Sequence, residues 1–280
     1  MLPHAQAALD PAGNGMYKVA VYLGDAGSYA AARDLTRQVF GARNTSLGAE
    51  RRETLHALAD VAYWTGLAGD PAAARDQYAA LLPVYERVLG AEHRHTLIAR
   101  SNVARWTGEA GDPAAARDQF AALLPDCERV LGAEDAATLT PRGSLARWTG
   151  EAGGPAAARD QLAAMLPVYQ RIFGAEHPET LDARSNLARW TGAAGDPAAA
   201  RDQFTALLPD CERILGAEHP STLTDRSNLA SWTGEAGDAA AARDQYAALL
   251  PVFERVLGAE HPGTLTAHRN FAHWAGRAGA

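Results

Sequence analysis

Lysine is almost missing from this chain: Lys18 is the only one in 280 residues, and every other basic side chain is arginine or histidine. Together with the abundance of alanine, this fits the codon usage of a GC-rich genome. Basic residues are also outnumbered, 26 against 33 acids, for a formal net charge of -7. That balance argues against nucleic-acid or membrane-surface partners, which need a basic patch. No apolar run approaches the ~18 residues of a membrane span. The opening MLPHAQAALDPAGNG has no basic stretch followed by an apolar one, so no signal peptide is expected. Signatures of chemistry are missing too: there is no G-x-S-x-G, H-E-x-x-H, C-x-x-C or G-x-x-x-x-G-K-[ST]. No enzyme, cofactor or metal is expected. His93 and His95 form an H-x-H, read as a turn rather than a metal site.

What is present is periodicity. All six tryptophans, Trp64, Trp106, Trp148, Trp190, Trp232 and Trp274, recur every 42 residues, and the text around them repeats. A strict period of this length signals a repeat array rather than one globular core. The two cysteines, Cys127 and Cys211, fall at the same point of alternate repeats. Stacked helices ~8–10 Å apart would hold them roughly 20 Å from each other, beyond the ~7 Å reach of a disulfide. Free thiols in a reducing, cytoplasmic setting are therefore expected.

Each period holds two helix patterns and two breakers. In the period 177–218, a first helix starts at His177-Pro178, where proline's missing N–H costs nothing. It carries Leu181, Ala183, Leu187, Ala188 and Trp190 on one apolar stripe and ends at Gly195. Asp196 caps the second helix, with Pro197 at its first position. That helix carries Ala200, Phe204, Leu207, Leu208 and Ile214 and ends at Gly216. Pro83, Pro125, Pro167, Pro209 and Pro251 fall inside the second helices, at ~3 kcal/mol each. They either kink these helices or break them; LLPVYERVL keeps its periodicity across the proline, which favours a kink. The third repeat departs most, with Asp135-Ala136-Ala137 for His-Pro and Pro141 inside, so a late or distorted helix start is expected. Three regions follow: a degenerate N-terminal repeat and connector (1–50, looser over 44–51), five regular units (51–260) and a closing helix (261–280). That makes about thirteen helices.

The pattern HP-x-T-L…N-L-A…G-D…A…Y…L-G appears here as His177-Pro178, Asn186-Leu187-Ala188, Gly195-Asp196 and Ile214-Leu215-Gly216. It resembles the 42-residue tetratricopeptide repeats (TPR) of kinesin light chains and nephrocystin-like proteins over residues 16–280. The resemblance implies an all-α, right-handed α-solenoid of helix-turn-helix units. Here serine (Ser101, Ser185, Ser227) stands before Asn-Leu-Ala where those families carry asparagine. The text LARWTGEAGDPAAARDQYAALLPVxERVLGAEHPxTL also resembles the C-terminal repeats of actinobacterial STAND-type signalling NTPases, and LPHAQAAL resembles the segment leading into them. In that family the repeats act as sensor. The expectation is a non-catalytic module that binds a protein or peptide in its concave groove. It would be the ligand-sensing region of a larger NTPase; the alternative is a structural scaffold with weak end-to-end self-association.

In the resemblance, first helices line the groove. One face then carries rows of residues at helical spacing: His56, Ala59 and Tyr63 in the first regular unit, then Ser101 and Arg105, Arg147, Ser185 and Arg189, and Ser227 in later ones. Arg105, Arg147 and Arg189 form a ladder suited to carboxylates or phosphates, or else a solvated charged face. Arg105 and Arg147 each have a glutamate four residues on. Arg189 has Ala193 instead, so it is expected to be the free charge that anchors an acidic group. A second ladder, Arg100, Arg142, Arg184 and Arg226, reads as structural, pairing with acids of neighbouring helices. Asn102, Asn186 and Asn228 either bind a peptide backbone or tie loops together. The tryptophans read as core.

Overall fold

The structure, a computed structural model, describes residue 10 and residues 12–279. The LPHAQAAL segment lies outside these residues. Thirteen helices are present among the described residues. They are α1 (Asn14–Asp25), α2 (Tyr29–Leu47), α3 (Arg52–Leu67), α4 (Pro71–Leu89), α5 (Arg94–Glu109), α6 (Pro113–Leu131) and α7 (Ala136–Glu151), then α8 (Pro155–Phe173), α9 (Pro178–Ala193), α10 (Pro197–Ile214), α11 (Pro220–Glu235), α12 (Ala239–Leu257) and α13 (Pro262–Ala278). The chain divides after Trp148 into two compact units, 1–148 and 149–280. Consecutive helices from α1 to α6 and from α8 to α13 pack together, and first helices of adjacent repeats also touch: α3 with α5 in the first unit, α9 with α11 and α11 with α13 in the second.

Local chemistry sets the helix ends. Asp70, Asp112, Asp196 and Asp238 each accept a hydrogen bond from the backbone N–H three residues on, at 2.9–3.0 Å, which satisfies one orphan donor of the first turn. The histidines act likewise: Nδ1 of His93, His177, His219 and His261 accepts from the N–H two residues later. Gly195 and Gly216 sit at φ 105° and 103°, where a side chain would be strained.

Two expectations need correction. The third repeat has no late start. Asp135 replaces histidine as cap, accepting from the Ala137 N–H at 2.8 Å, and α7 spans 16 residues like its counterparts α5 and α9. The connector expected over 44–51 shrinks to 48–51, because α2 continues to Leu47. The inner prolines do not break their helices: α4, α6, α8, α10 and α12 run through them.

The core explains the 42-residue period. Five tryptophans are buried, and the half-buried Trp232 packs on the cluster of Leu181, Ala188, Phe204, Leu207 and Cys211. Each indole lies on a helical glycine of the preceding repeat: Trp64 on Gly24, Trp106 on Gly66, Trp148 on Gly108, Trp190 on Gly150, Trp232 on Gly192 and Trp274 on Gly234. A Cβ added at Gly66, Gly108, Gly150, Gly192 or Gly234 would stand only 2.5–2.7 Å from the ring. The Trp-Thr-Gly text is thus a lock: the tryptophan of one repeat fills the space that the previous repeat's glycine leaves. A second tie is the threonine before the first leucine of each first helix from α3 on. Thr96 donates to the Gly90 carbonyl and Thr138 to the Cys127 carbonyl, each joining a first helix to the end of the second helix before it. Cys127 and Cys211 are buried free thiols.

Candidate functional site

Two adjoining cavities open beside the first helices of the first unit, sharing Ile98 and Asn102. One, of about 430 Å³, is lined by Ser101, Asn102, Arg105, Thr140, Pro141, Ser144, Arg147 and Trp148 among others. Four of the expected groove residues, Ser101, Asn102, Arg105 and Arg147, therefore meet in one place. The other, of about 330 Å³, is lined by Tyr17, His56, Ala59, Asp60, Tyr63, Tyr78, Tyr85, His95, Ile98, Ala99 and Asn102.

The arginine ladder is wired differently from the expectation. Each arginine lies over its own tryptophan: Arg105 at 4.6 Å from the Trp106 centroid, Arg147 at 4.4 Å from Trp148, Arg189 at 4.3 Å from Trp190. Such contacts contribute ~0.5–1 kcal/mol at exposed sites. For Arg147 and Arg189 the carboxylate comes from the preceding repeat rather than from four residues on. Arg147 pairs with Glu109 at 2.9 Å and Arg189 with Glu151 at 2.8 Å. Arg189 is therefore not the free charge. The helical spacing misled because Arg147 and Arg189 meet a carboxylate 38 residues earlier, on the neighbouring first helix, and not one in their own helix. At the matching position before Arg105 stands Leu67. Among the described residues Arg105 has no carboxylate partner, and its guanidinium also stacks on Tyr63, 5.4 Å from the centroid.

The second unit's candidates are engaged internally. Ser185 donates to Asp225 at 2.5 Å. Ser227 and Ser231 meet the Tyr246 hydroxyl, which donates to the Ser227 carbonyl at 2.7 Å. Asn186 donates to the Asp182 carbonyl and Asn102 to the Ile98 carbonyl, each in its own helix, so neither ties a loop. Asn228 is half-buried on α11. The second ladder is structural as expected: Arg100 pairs with Asp126, Arg142 with Glu128, Arg184 with Asp210 and Arg226 with Glu212.

The cavity around Asp60 went unrecognised in the sequence. Burial pushes the Asp60 carboxyl up, against the lowering effect of its hydrogen bond from Tyr17. Burial also lowers His95 to about 4, helped by His56 and Arg52. The signal was present in the repeat alignment. Asp60 stands where later repeats carry Asn102, Asn186, Asn228 and Asn270, and Tyr63 stands where they carry Arg105, Arg147 and Arg189. Among the described residues no group of three or more His, Cys, Asp or Glu could hold a metal, and no helix is long and apolar enough to cross a membrane.

The profile of the tetratricopeptide repeat matches five consecutive segments, 54–95, 96–137, 138–179, 180–221 and 222–263. The chain belongs to the tetratricopeptide-repeat family. The TPR fold is an all-α solenoid of helix-turn-helix units and serves as a protein-interaction module. No curated protein matches the sequence. Among solved structures, TPR-like repeats of a putative kinesin light chain from Podosopora anserina share 20% identity at a TM-score of 0.57, covering 73% of this chain and 97% of that one. A Rap protein complexed with Competence and Sporulation Factor shares 12% identity at a TM-score of 0.64, covering 99% and 79%. A STAND protein with a tetratricopeptide repeat sensor from Pyrococcus horikoshii shares 11% at 0.58, covering 99% of this chain but 39% of that one. These likenesses are of fold.

Proposed function

We propose that this TPR array is a non-catalytic module that binds a protein or peptide segment along the first helices of its first unit, with Arg105 holding an acidic group. The supporting observation is the uncompensated Arg105 guanidinium on the wall of a cavity that also offers Ser101, Asn102 and Arg147. Arg147 carries its own glutamate and serves as a secondary contact. Ser185, Asn186, Arg189, Ser227 and Asn228 belong to the same rows but play a lesser part, because most of their polar groups are already satisfied. The likeness to a STAND protein's repeat sensor and to a Rap protein complexed with Competence and Sporulation Factor supports a sensing role within a larger signalling NTPase.

The test is selection of short peptides from a random display library on the full chain, followed by affinity measurement at two salt concentrations. Selected peptides are expected to carry a carboxylate. A charge-assisted contact contributes ~1.5–3 kcal/mol, so Arg105→Ala should weaken binding roughly ten- to hundred-fold, while Arg189→Ala changes it little. Peptides without acidic groups, or an Arg105→Ala variant that binds like wild type, would refute this assignment.

A further inference from the structure

We propose that the cavity around Asp60 is a subsite for a basic side chain, lysine or arginine, of the bound peptide. The inference deepens the reading of this face as a peptide-binding surface and rests on it. It starts from a carboxylate in an unusual position. Oδ2 of Asp60 accepts a hydrogen bond from the Tyr17 hydroxyl at 2.5 Å, while Oδ1 accepts none, and no cation lies within ion-pair distance among the described residues. The one arginine nearby, Arg43, sits behind the Tyr17 ring at 5.1 Å. Its donors go to the Ala12 and Glu53 carbonyls and to Asn14. A largely buried carboxylate with a single neutral partner is costly, and a cation entering the cavity would relieve that cost.

The walls suit the same occupant. Tyr17, Tyr63, Tyr78 and Tyr85 surround the carboxylate, and aromatic faces attract ammonium and guanidinium groups. The lowered His56 and His95 are uncharged near neutrality, so they do not repel a cation. His95 accepts from Arg52 at 3.0 Å in the tautomer that leaves Nε2 bare, and its ring stacks edgewise on His56. His56 Nε2 is buried without a hydrogen-bond partner. Arg105 lines the adjoining cavity and not this one.

The last repeat shows what the first has given up. Tyr246, four periods after Tyr78, is tied to Ser227, Ser231 and Asn270. At the positions of the two serines the first repeat carries Ala59 and Tyr63, so the Tyr78 hydroxyl has no serine hydroxyl there to meet. Set against Ser101, Asn102 and Arg105 of the next repeat, Ala59, Asp60 and Tyr63 remove one positive charge and add one negative charge. The same face thus accepts an anion at Arg105 and a cation one repeat earlier.

The probes are Nα-acetyl-lysine amide, Nα-acetyl-arginine amide and neutral Nα-acetyl-norleucine amide, titrated into the full chain and followed through the His56 and His95 ring resonances. The two cationic probes should shift these resonances and bind at least about ten-fold more tightly than norleucine amide. Asp60→Asn, which installs the residue that four later repeats carry, should remove that preference without unfolding the chain. Binding of the cations should weaken as pH falls through the raised Asp60 pKa, because the carboxylate loses its charge. Arg105→Ala should leave the cationic preference intact. Equal binding of lysine and norleucine amides, or an Asp60→Asn variant that still prefers cations, overturns the proposal. Either outcome leaves the Arg105 assignment to stand or fall on its own acidic peptides.

Discussion

Replacing Gly108 by alanine would place a methyl carbon 2.5 Å from the Trp148 ring. Carbon atoms pack best at ~3.5–4.0 Å, so the ring or one of the two helices must move by about 1 Å. Trp148 is buried among Leu97, Ala104, Phe120, Leu123 and Cys127, with little room to retreat. Overpacking of this kind costs ~1–3 kcal/mol. Against it stands the ~1 kcal/mol by which alanine outranks glycine inside a helix. Gly41, exposed within α2, has nothing within 4 Å of its added Cβ, so Gly41→Ala receives the propensity gain alone. The difference between the two variants therefore isolates the clash, ~1–3 kcal/mol. Urea unfolding followed by circular dichroism reads it as a higher midpoint for Gly41→Ala and a lower one for Gly108→Ala. In a Trp148→Ala background the Gly108→Ala penalty should vanish, since partners in contact couple. If Gly108→Ala raises the midpoint as Gly41→Ala does, the tryptophan–glycine lock does not hold the repeats together.

Arg105→Ala should weaken acidic peptides roughly ten- to hundred-fold and Arg189→Ala by little, as read by fluorescence anisotropy, because Glu151 already faces Arg189. Cys127 and Cys211 should resist a thiol reagent at pH 8 in the folded chain and react once it is denatured. Burial raises both thiols, Cys211 to about 12 with the help of Asp225. Asp225→Ala, which installs the residue found at Ala99, Ala183 and Ala267, should raise Tm at neutral pH. Burial raises the folded-state pKa of Asp225. The wild-type side chain is thus best tolerated protonated, and the stability it then contributes is lost as pH rises through that pKa. The Tm advantage of the variant should accordingly shrink in acid; an advantage independent of pH would show that desolvation is not the cause.

The sequence by itself determined the repeat. Helix starts, caps and stops follow from short-range rules, since an aspartate or histidine needs only the N–H two or three residues on, and a glycine's positive φ is a property of its own backbone. The apolar stripe likewise follows from helical spacing, so Trp190, Leu181, Ala200 and Phe204 could be assigned to the core without coordinates. The tertiary structure alone decided which side chain faces which across repeats. Gly108 reads as an ordinary helical glycine until Trp148 is seen lying on it. Glu109 reads as the helical partner of Arg105 until it is found on Arg147, and Arg189 passes for a free charge until Glu151 appears beside it. Helical spacing fixes neighbours three and four residues apart, whereas contacts some forty residues apart depend on how adjacent helices are staggered. For the same reason Asp60 looks like one more variable position in the text, and only the fold sets it beside the Tyr17 hydroxyl in a cavity lined by Tyr63, Tyr78 and His56.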